Sequence, residues 1–337
     1  MCGIVGCISD GDAASLCLEG LRRLEYRGYD SAGAAIVQDG AIKVLKDSGR
    51  IADINGRLKI SSQRSDVAIL HTRWATHGAP NRQNAHPHTD CRGRIAIAHN
   101  GIIENHAALR KALEAEGHTF STETDSEVIA HLLEKFYSGS RDDPRPKPRG
   151  FLVAAMQEAC SLLEGAYAIA AVAEGEECIV AARRGSPLVV GIGEGRMFVA
   201  SDPAAFVGHA DKMVFLDDNE IAEVRKGSYS ITNARNEAVE KGTEALTMTL
   251  EQIEKGGFRH FMLKEIFEQP EALRNVLRGR LTGSGVKISV EGVLNAKRII
   301  LTACGTSWHS ALIGKYLLEG ISGVPAEVDY ASEFRYR

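Results

Sequence analysis

Short apolar runs, each closed by Gly or Asp, fill the chain up to about Thr232. Ile4–Ile8, Ala32–Gln38, Ala41–Lys46, Val67–His71 and Ile95–His99 predict strands, and Ala166–Ala173, Cys178–Ala182, Leu188–Ile192, Met197–Ala200 and Glu220–Val224 continue the set. Helical periodicity interrupts them. Cys17, Leu21 and Leu24 share one face, and Ala108–Glu116, Val128–Tyr137 and Phe151–Glu164 are three further amphipathic stretches. Clustered strands with helices between them predict α+β layers, antiparallel sheets covered by helices. Arg141–Arg149 reads as a polar, proline-rich connection.

The texture changes from about Glu237. Glu251–Arg280 reads as mostly helical, broken at Gly256-Gly257, a linker and the first helix of a second unit. One βαβ unit follows. Arg298–Ala303 is a continuous apolar run suited to a buried parallel strand, Cys304–Ser307 the turn, Trp308–Glu319 the helix and Ala326–Tyr330 the second strand. A single βαβ unit is short for a stable parallel sheet, so a segment of a longer protein is expected.

Composition narrows the function classes. The 337 residues are 44% hydrophobic and 25% charged with a net charge of −4, ordinary globular usage without a basic stripe. Nucleic acid is not the expected partner. The start Met1–Cys7 lacks a basic leader, and no apolar stretch is long enough to span a bilayer. Seven cysteines without a Cys-x-x-Cys pair do not read as a disulfide framework, so a reducing cytoplasm is the expected compartment.

Cys2 is the most informative residue. Removal of Met1 would leave one residue carrying both a thiol and a free α-amine. The amine's reference pKa of roughly 7.7–8 suits it to act as base for the thiol near neutral pH. Taken alone, Met-Cys-Gly could equally start a buried strand.

Longer stretches supply context: Leu24–Gly33 (LEYRGYDSAG), His71–Gly78 (HTRWATHG), Asn84–His88 (NAHPH), His99–Asn105 (HNGIIEN) and Glu123–Glu127 (ETDSE). In this order they resemble the N-terminal-nucleophile glutamine amidotransferases, and the first stretch resembles the branch that makes glucosamine 6-phosphate. The resemblance covers residues 2–235 and implies a layered αββα glutaminase domain. A helical linker would occupy 236–280, and 281–337 would be the incomplete start of an α/β sugar-isomerase domain, a resemblance carried by Lys264–Pro270 (KEIFEQP) and the segment from Arg298.

The resemblance also implies roles. Cys2 is the nucleophile, and Asn100 and Gly101 supply oxyanion donors, although Asn-Gly could also be a turn closing the Ile95–His99 strand. Arg73, placed on a loop past its strand, clamps the α-carboxylate of glutamine through its fork of donors. Trp74, Thr76 and His77 belong to a loop closing over glutamine, although Trp74 could be core. Asp125 pairs with the α-ammonium, while Thr124 would cap the following helix in a Thr-x-x-Glu box. Arg27 and His86 are supporting residues. The pair His86-x-His88 lacks a Cys or carboxylate to complete a metal set, so no metal is expected.

Thr306 and Ser307 sit at a strand-to-helix turn, where backbone N–H groups favour an anion, and by resemblance touch the phosphate of fructose 6-phosphate. The implied partners are L-glutamine here and fructose 6-phosphate in a homo-oligomeric full-length parent, with no cofactor. This chain is expected to hydrolyse glutamine, and the parent to pass the ammonia to the sugar. Two alternatives stay open: another amidotransferase with the same glutaminase half, and a sugar-phosphate sensor with a catalytically dead glutaminase fold.

Overall fold

The computed structural model describes residues 2–138, 151–250, 257–277, 281–282, 285–286, 296–334 and 336. The expected proline-rich connection 141–149 and the opening 251–256 of the expected linker helix lie outside the described residues. The chain divides into two compact units, one ending at Gly257 and one beginning at Phe258.

In the larger unit the order is β1 (Gly3–Ile8), α1 (Ala13–Arg23), β2 (Ser31–Gln38), β3 (Ala41–Ser48), α2 (Ile51–Leu58), β4 (Val67–Arg73), β5 (His88–Thr89) and β6 (Ile95–Ile103). Then come α3 (His106–Ala115), α4 (Glu127–Ser138), α5 (Phe151–Leu162), β7 (Gly165–Ala173), β8 (Cys178–Arg184), β9 (Val189–Gly193) and β10 (Arg196–Ala200). The last strands are β11 (Lys212–Phe215), β12 (Glu220–Arg225), β13 (Ser228–Thr232) and β14 (Glu244–Ala245). They form an eight-stranded sheet, ordered β14-β11-β9-β10-β1-β4-β2-β3, and a six-stranded sheet, ordered β13-β12-β8-β7-β6-β5. The neighbouring strands that define both orders pair antiparallel.

Alternate side chains sort into three apolar layers. Val5, Cys7, Ala68 and Leu70 pack against α1 and α2 through Leu18, Leu21, Ile51 and Ile54. Ile97, Ile103, Ile169 and Val180 pack against α4 and α5 through Ile129, Leu133, Leu152 and Met156. Between the sheets lie Ile4, Ile8, Val67, Ile69, Met197 and Val199 of one and Ala96, Ala98, Ala168, Ala170, Ala181 and Ala222 of the other. Val172, Ile179, Val224 and Ile231 of the second sheet fill the rest of this layer, and the order of layers is α-β-β-α. Gly6 belongs to the same packing, since a Cβ there would lie 2.9 Å from the Ile179 Cδ1.

The expected strands and the four expected helices are present, and the fold is the layered α+β arrangement expected. Several details differ. α2 was not expected, because its buried residues are only Ile51 and Ile54 and its interior holds Asn55 and Gly56, both poor helix formers. The short β11 and β13 carry mixed polarity and likewise escaped pattern reading. Asn100-Gly101 is not a turn: β6 runs through both, pairing Asn100 with Ala168 and Gly101 with Tyr167. Arg73 is the last residue of β4, buried in the strand end and not on a loop. Thr124 does not cap α4. Its hydroxyl bonds Thr122 and His88 instead, and Glu127 turns back to the N–H groups of Ser121 and Thr122.

The smaller unit contains helix α6 (Phe261–Leu277), a hairpin of β15 (Leu281–Thr282) and β16 (Gly285–Val286), and a parallel pair. That pair is β17 (Ile299–Ala303) and β18 (Ala326–Tyr330), joined through helix α7 (Gly305–Ser322), so the expected βαβ unit is present. No helix of the described residues is long and apolar enough to cross a membrane.

Candidate active site

Strand β1 begins immediately after Cys2, and β4 beside it ends at Arg73, which places the thiol against the chain leaving β4. The Trp74 N–H donates to Cys2 Sγ at 3.2 Å, and the thiol faces the Trp74 carbonyl at 3.6 Å. Burial raises the Cys2 pKa, while the Trp74 N–H and the Arg73 charge pull it down. A base beside the thiol is therefore chemically useful.

Asn100 reaches across from the other sheet. Its Nδ2 donates to the Cys2 carbonyl at 3.0 Å, and its Oδ1 lies 3.0 Å from His71 Nε2. His71 Nε2 is also 3.1 Å from the His99 carbonyl. Two acceptors on one ring nitrogen put the proton on Nε2. Burial, with the His99 and Arg73 charges, lowers the His71 pKa to about 3 against the pull of its hydrogen bonds, so the ring is neutral. The network fixes the Asn100 amide with its NH2 toward Cys2.

Gly101, the next residue, has φ +134°, a backbone state open in practice only to glycine, and a Cβ there would lie 2.0 Å from the Ala166 carbonyl oxygen. Asn100 and Gly101 are therefore held by the β6–β7 ladder rather than by a loop.

The Arg73 guanidinium is bound to main-chain carbonyls of the loop that follows: to His77, to Gly78 at 3.2 Å and to Ala79 at 3.3 Å. This folds residues 74–79 back over the strand end. Trp74 is 48% exposed and meets Tyr29 edge-on at 5.6 Å, so it is not core. Thr76 is exposed, and His77 Nδ1 lies 3.9 Å from Asp125 Oδ1. The other Asp125 oxygen accepts the Ile103 N–H at 2.8 Å, tying the α4 approach to the end of β6.

The supporting residues are placed as follows. Gly28 packs on the Arg73 backbone, where a Cβ would come within 2.6 Å, and the Thr72 hydroxyl donates to the Gly28 carbonyl at 2.6 Å. Arg27, just before it, pairs with Asp202 and donates to the Tyr26 hydroxyl, so it fixes the 26–30 turn and touches no other predicted site residue. Asp30 accepts the Ala75 N–H, holding the far side of the same loop. The His86 ring lies tilted against His71, with centroids 4.1 Å apart, and meets His88 edge-on at 4.3 Å. Burial pushes the pKa values of His86 and His88 well below the ordinary range, so these rings form a neutral wall behind Asn100. Thr306 and Ser307 open α7 in the smaller unit, both exposed, with the Thr306 carbonyl accepting the Ser310 hydroxyl at 3.2 Å.

Sequence reasoning assigned no role to His71 or Asp30. Both lay in quoted motifs, but only the β1–β4–β2 register and the approach of β6 show what they hold.

A glutamine amidotransferase domain model matches residues 71–208 and a SIS domain model matches residues 293–337. Proteins named glutamine–fructose-6-phosphate aminotransferase (isomerizing) are similar throughout. Those of Chlorobaculum tepidum and Methanothermobacter thermautotrophicus are each 48% identical, with the alignment covering 100% of this chain and 55% of theirs. The chain thus spans about half the length of the curated relatives it matches. Among solved structures, a glutamine phosphoribosylpyrophosphate amidotransferase from B. subtilis matches with TM-score 0.60 and 21% identity, covering 97% of this chain and 65% of that one, a likeness of fold. The chain therefore carries a glutamine amidotransferase domain followed by the start of a SIS domain, and along its whole length it is similar to enzymes named glutamine–fructose-6-phosphate aminotransferase (isomerizing).

Proposed function

We propose that Cys2 attacks the carboxamide of L-glutamine and that this unit releases glutamate and ammonia. The observation carrying this reading is the convergence on Cys2 of the β4 exit and of Asn100 from the opposite sheet. The α-amine freed by removal of Met1 takes the thiol proton, and the thiolate adds to the carboxamide carbon. The resulting oxyanion is met by the Asn100 amide and the Gly101 N–H. Collapse expels ammonia, which leaves with the proton held by the amine, and water then hydrolyses the thioester to glutamate and free thiol.

Arg73 and Asp125 take the two charges of the amino-acid end. The guanidinium exchanges loop carbonyls for the α-carboxylate, and Asp125 faces the α-ammonium. Trp74, Thr76 and His77 form the covering loop, while Arg27 and His86 hold its supports.

In the longer protein the ammonia is passed to fructose 6-phosphate, giving glucosamine 6-phosphate, with Thr306 and Ser307 supplying part of the phosphate site and two or more copies assembling. The similarity to enzymes of that name over both units supports this reading. The test is glutamate release from glutamine by the purified chain and by Cys2→Ala. Release in the parent and none in the variant is expected. Equal release from both would overturn the assignment, and release from neither would favour a dead glutaminase fold.

A further inference from the structure

Away from Cys2, four side chains from three separate segments turn toward one point. Cys91 follows the edge strand β5, His118 lies between α3 and α4, and His131 and Glu134 lie three residues apart on α4. Their ligand atoms all lie within 4.8 Å of one another. We infer that Cys91 Sγ, His118 Nδ1, His131 Nδ1 and Glu134 Oε2 form a tetrahedral site for zinc or a cation of the same class.

The geometry suits the ion. Zinc bonds of about 2.3 Å to sulfur and about 2.0–2.2 Å to nitrogen and oxygen, at tetrahedral angles, place ligands roughly 3.4–3.6 Å apart. Cys91 Sγ is 3.8 Å from His118 Nδ1 and 3.5 Å from His131 Nδ1, and His131 Nδ1 is 3.5 Å from Glu134 Oε2. The His118–Glu134 pair, at 2.8 Å, must open by about 0.6 Å on entry of the ion, and all the ligand atoms already lie within 4.8 Å of one another.

The surroundings are built. His131 turns its other nitrogen, Nε2, toward Glu127 Oε1 at 3.7 Å, and a closure of about 0.7 Å would make the carboxylate–histidine bond that orients a metal-bound imidazole. Glu127 is in turn fixed by the Ser121 and Thr122 N–H groups, at 2.8 and 2.7 Å. The Thr119 N–H points at Cys91 Sγ at 3.5 Å, as suits a thiolate. The Asp90 carboxylate accepts the Arg94 and Ile95 N–H groups, which shapes the turn that presents Cys91. Glu134 is only 4% exposed, and its Oε1 has no hydrogen-bond partner among the described residues. Cys91 is exposed, giving a path from solvent.

Charge agrees as well: thiolate and carboxylate together cancel a divalent ion, and mixed sulfur, imidazole and carboxylate ligands are those of zinc. Four protein ligands leave no open position, so the site is structural. It would clamp the short β5 edge, and with it the His86–His88 wall, to α4.

The test uses the chain purified without a histidine tag, stripped with chelator and reloaded with zinc or cobalt. We expect about one zinc per chain, and in the cobalt form a thiolate-to-metal charge-transfer band with intense tetrahedral d–d bands. Cys91→Ser, at an exposed position, should fold, lose the charge-transfer band and weaken zinc binding on the order of 100-fold, with His118→Asn weakening it similarly. Zinc should raise the unfolding temperature of the parent and not of Cys91→Ser. Fewer than about 0.1 zinc retained per parent chain, or retention and cobalt spectra unchanged in Cys91→Ser, would overturn the site.

Discussion

Gly101→Ala tests the placement of the oxyanion donors within a strand. The added Cβ would start 2.0 Å from the Ala166 carbonyl oxygen, and real Cβ contacts do not fall below 3.0 Å, so β6 and β7 must part by at least about 1 Å there. Parting by that much removes the ladder bonds on either side of Gly101, worth about 1 kcal/mol each. The backbone at φ +134° adds about 1–3 kcal/mol of strain for a residue with a Cβ. The sum is about 3–5 kcal/mol of stability. The same shift would move the Gly101 N–H off the developing oxyanion, costing on the order of 100-fold in kcat. Gly93→Ala is the control: φ is +68° there and nothing lies within 4 Å of a Cβ, so only about 1–2 kcal/mol of backbone strain is expected, with unchanged turnover. Urea unfolding and steady-state glutamate release on the three proteins read both effects. A Gly101→Ala protein within about 1 kcal/mol of Gly93→Ala and within about 3-fold of parent kcat would refute the reasoning.

Three further outcomes are expected. Arg73→Lys keeps the charge but loses the fork that holds the His77, Gly78 and Ala79 carbonyls, so the KM for glutamine should rise about 10-fold or more with a smaller fall in kcat; equal effects on both would remove Arg73 from substrate binding. A form retaining Met1 or extended at the N-terminus should release no glutamate although Cys2 is intact, checked by intact mass and assay on one sample; full activity would reject the α-amine as base. Stability should fall with acid. His71 titrates at about 3 when folded against 6.5 when unfolded, so between those values the unfolded chain binds the extra proton, and about 1.4 kcal/mol should be lost by pH 5.5 relative to pH 8 from this ring alone. Burial lowers His86, His88 and His99 in the same direction, and urea midpoints that do not change from pH 8 to 5.5 would contradict the buried, neutral assignment.

The layered fold was legible because its strands are short apolar runs punctuated by Gly and Asp, and its main helices bury a periodic face. Elements with little to bury, such as α2 and β13, left no such trace. The site was legible only as a set of motifs. Asn100-Gly101 has the local signature of a turn, and its place inside β6 depends on the β7 backbone lying where a Cβ cannot fit. Thr124-x-x-Glu127 has the local signature of a cap, but buried partners, His88 for one and the Ser121–Thr122 backbone for the other, outcompete the helix end. Of Cys91, His118, His131 and Glu134, only the last two share a readable spacing, three apart on α4; tertiary structure brings Cys91 and His118 to them.

The alanine-lined contact between the two sheets has a practical consequence for anyone mapping this protein by mutagenesis. A scan that replaces each residue by alanine treats alanine as the neutral reference, and it passes over Ala96, Ala98, Ala168, Ala170, Ala181 and Ala222 without making a change. With Val172, Ile179, Val224 and Ile231 they line the layer between the sheets, the layer across which Asn100 reaches Cys2. One added methyl or ethyl branch here would act as a shim, at about 1–3 kcal/mol each, and would be felt at the nucleophile before the fold gave way. The informative scan of this layer runs upward in size, from alanine to valine, with glutamate release as its first readout.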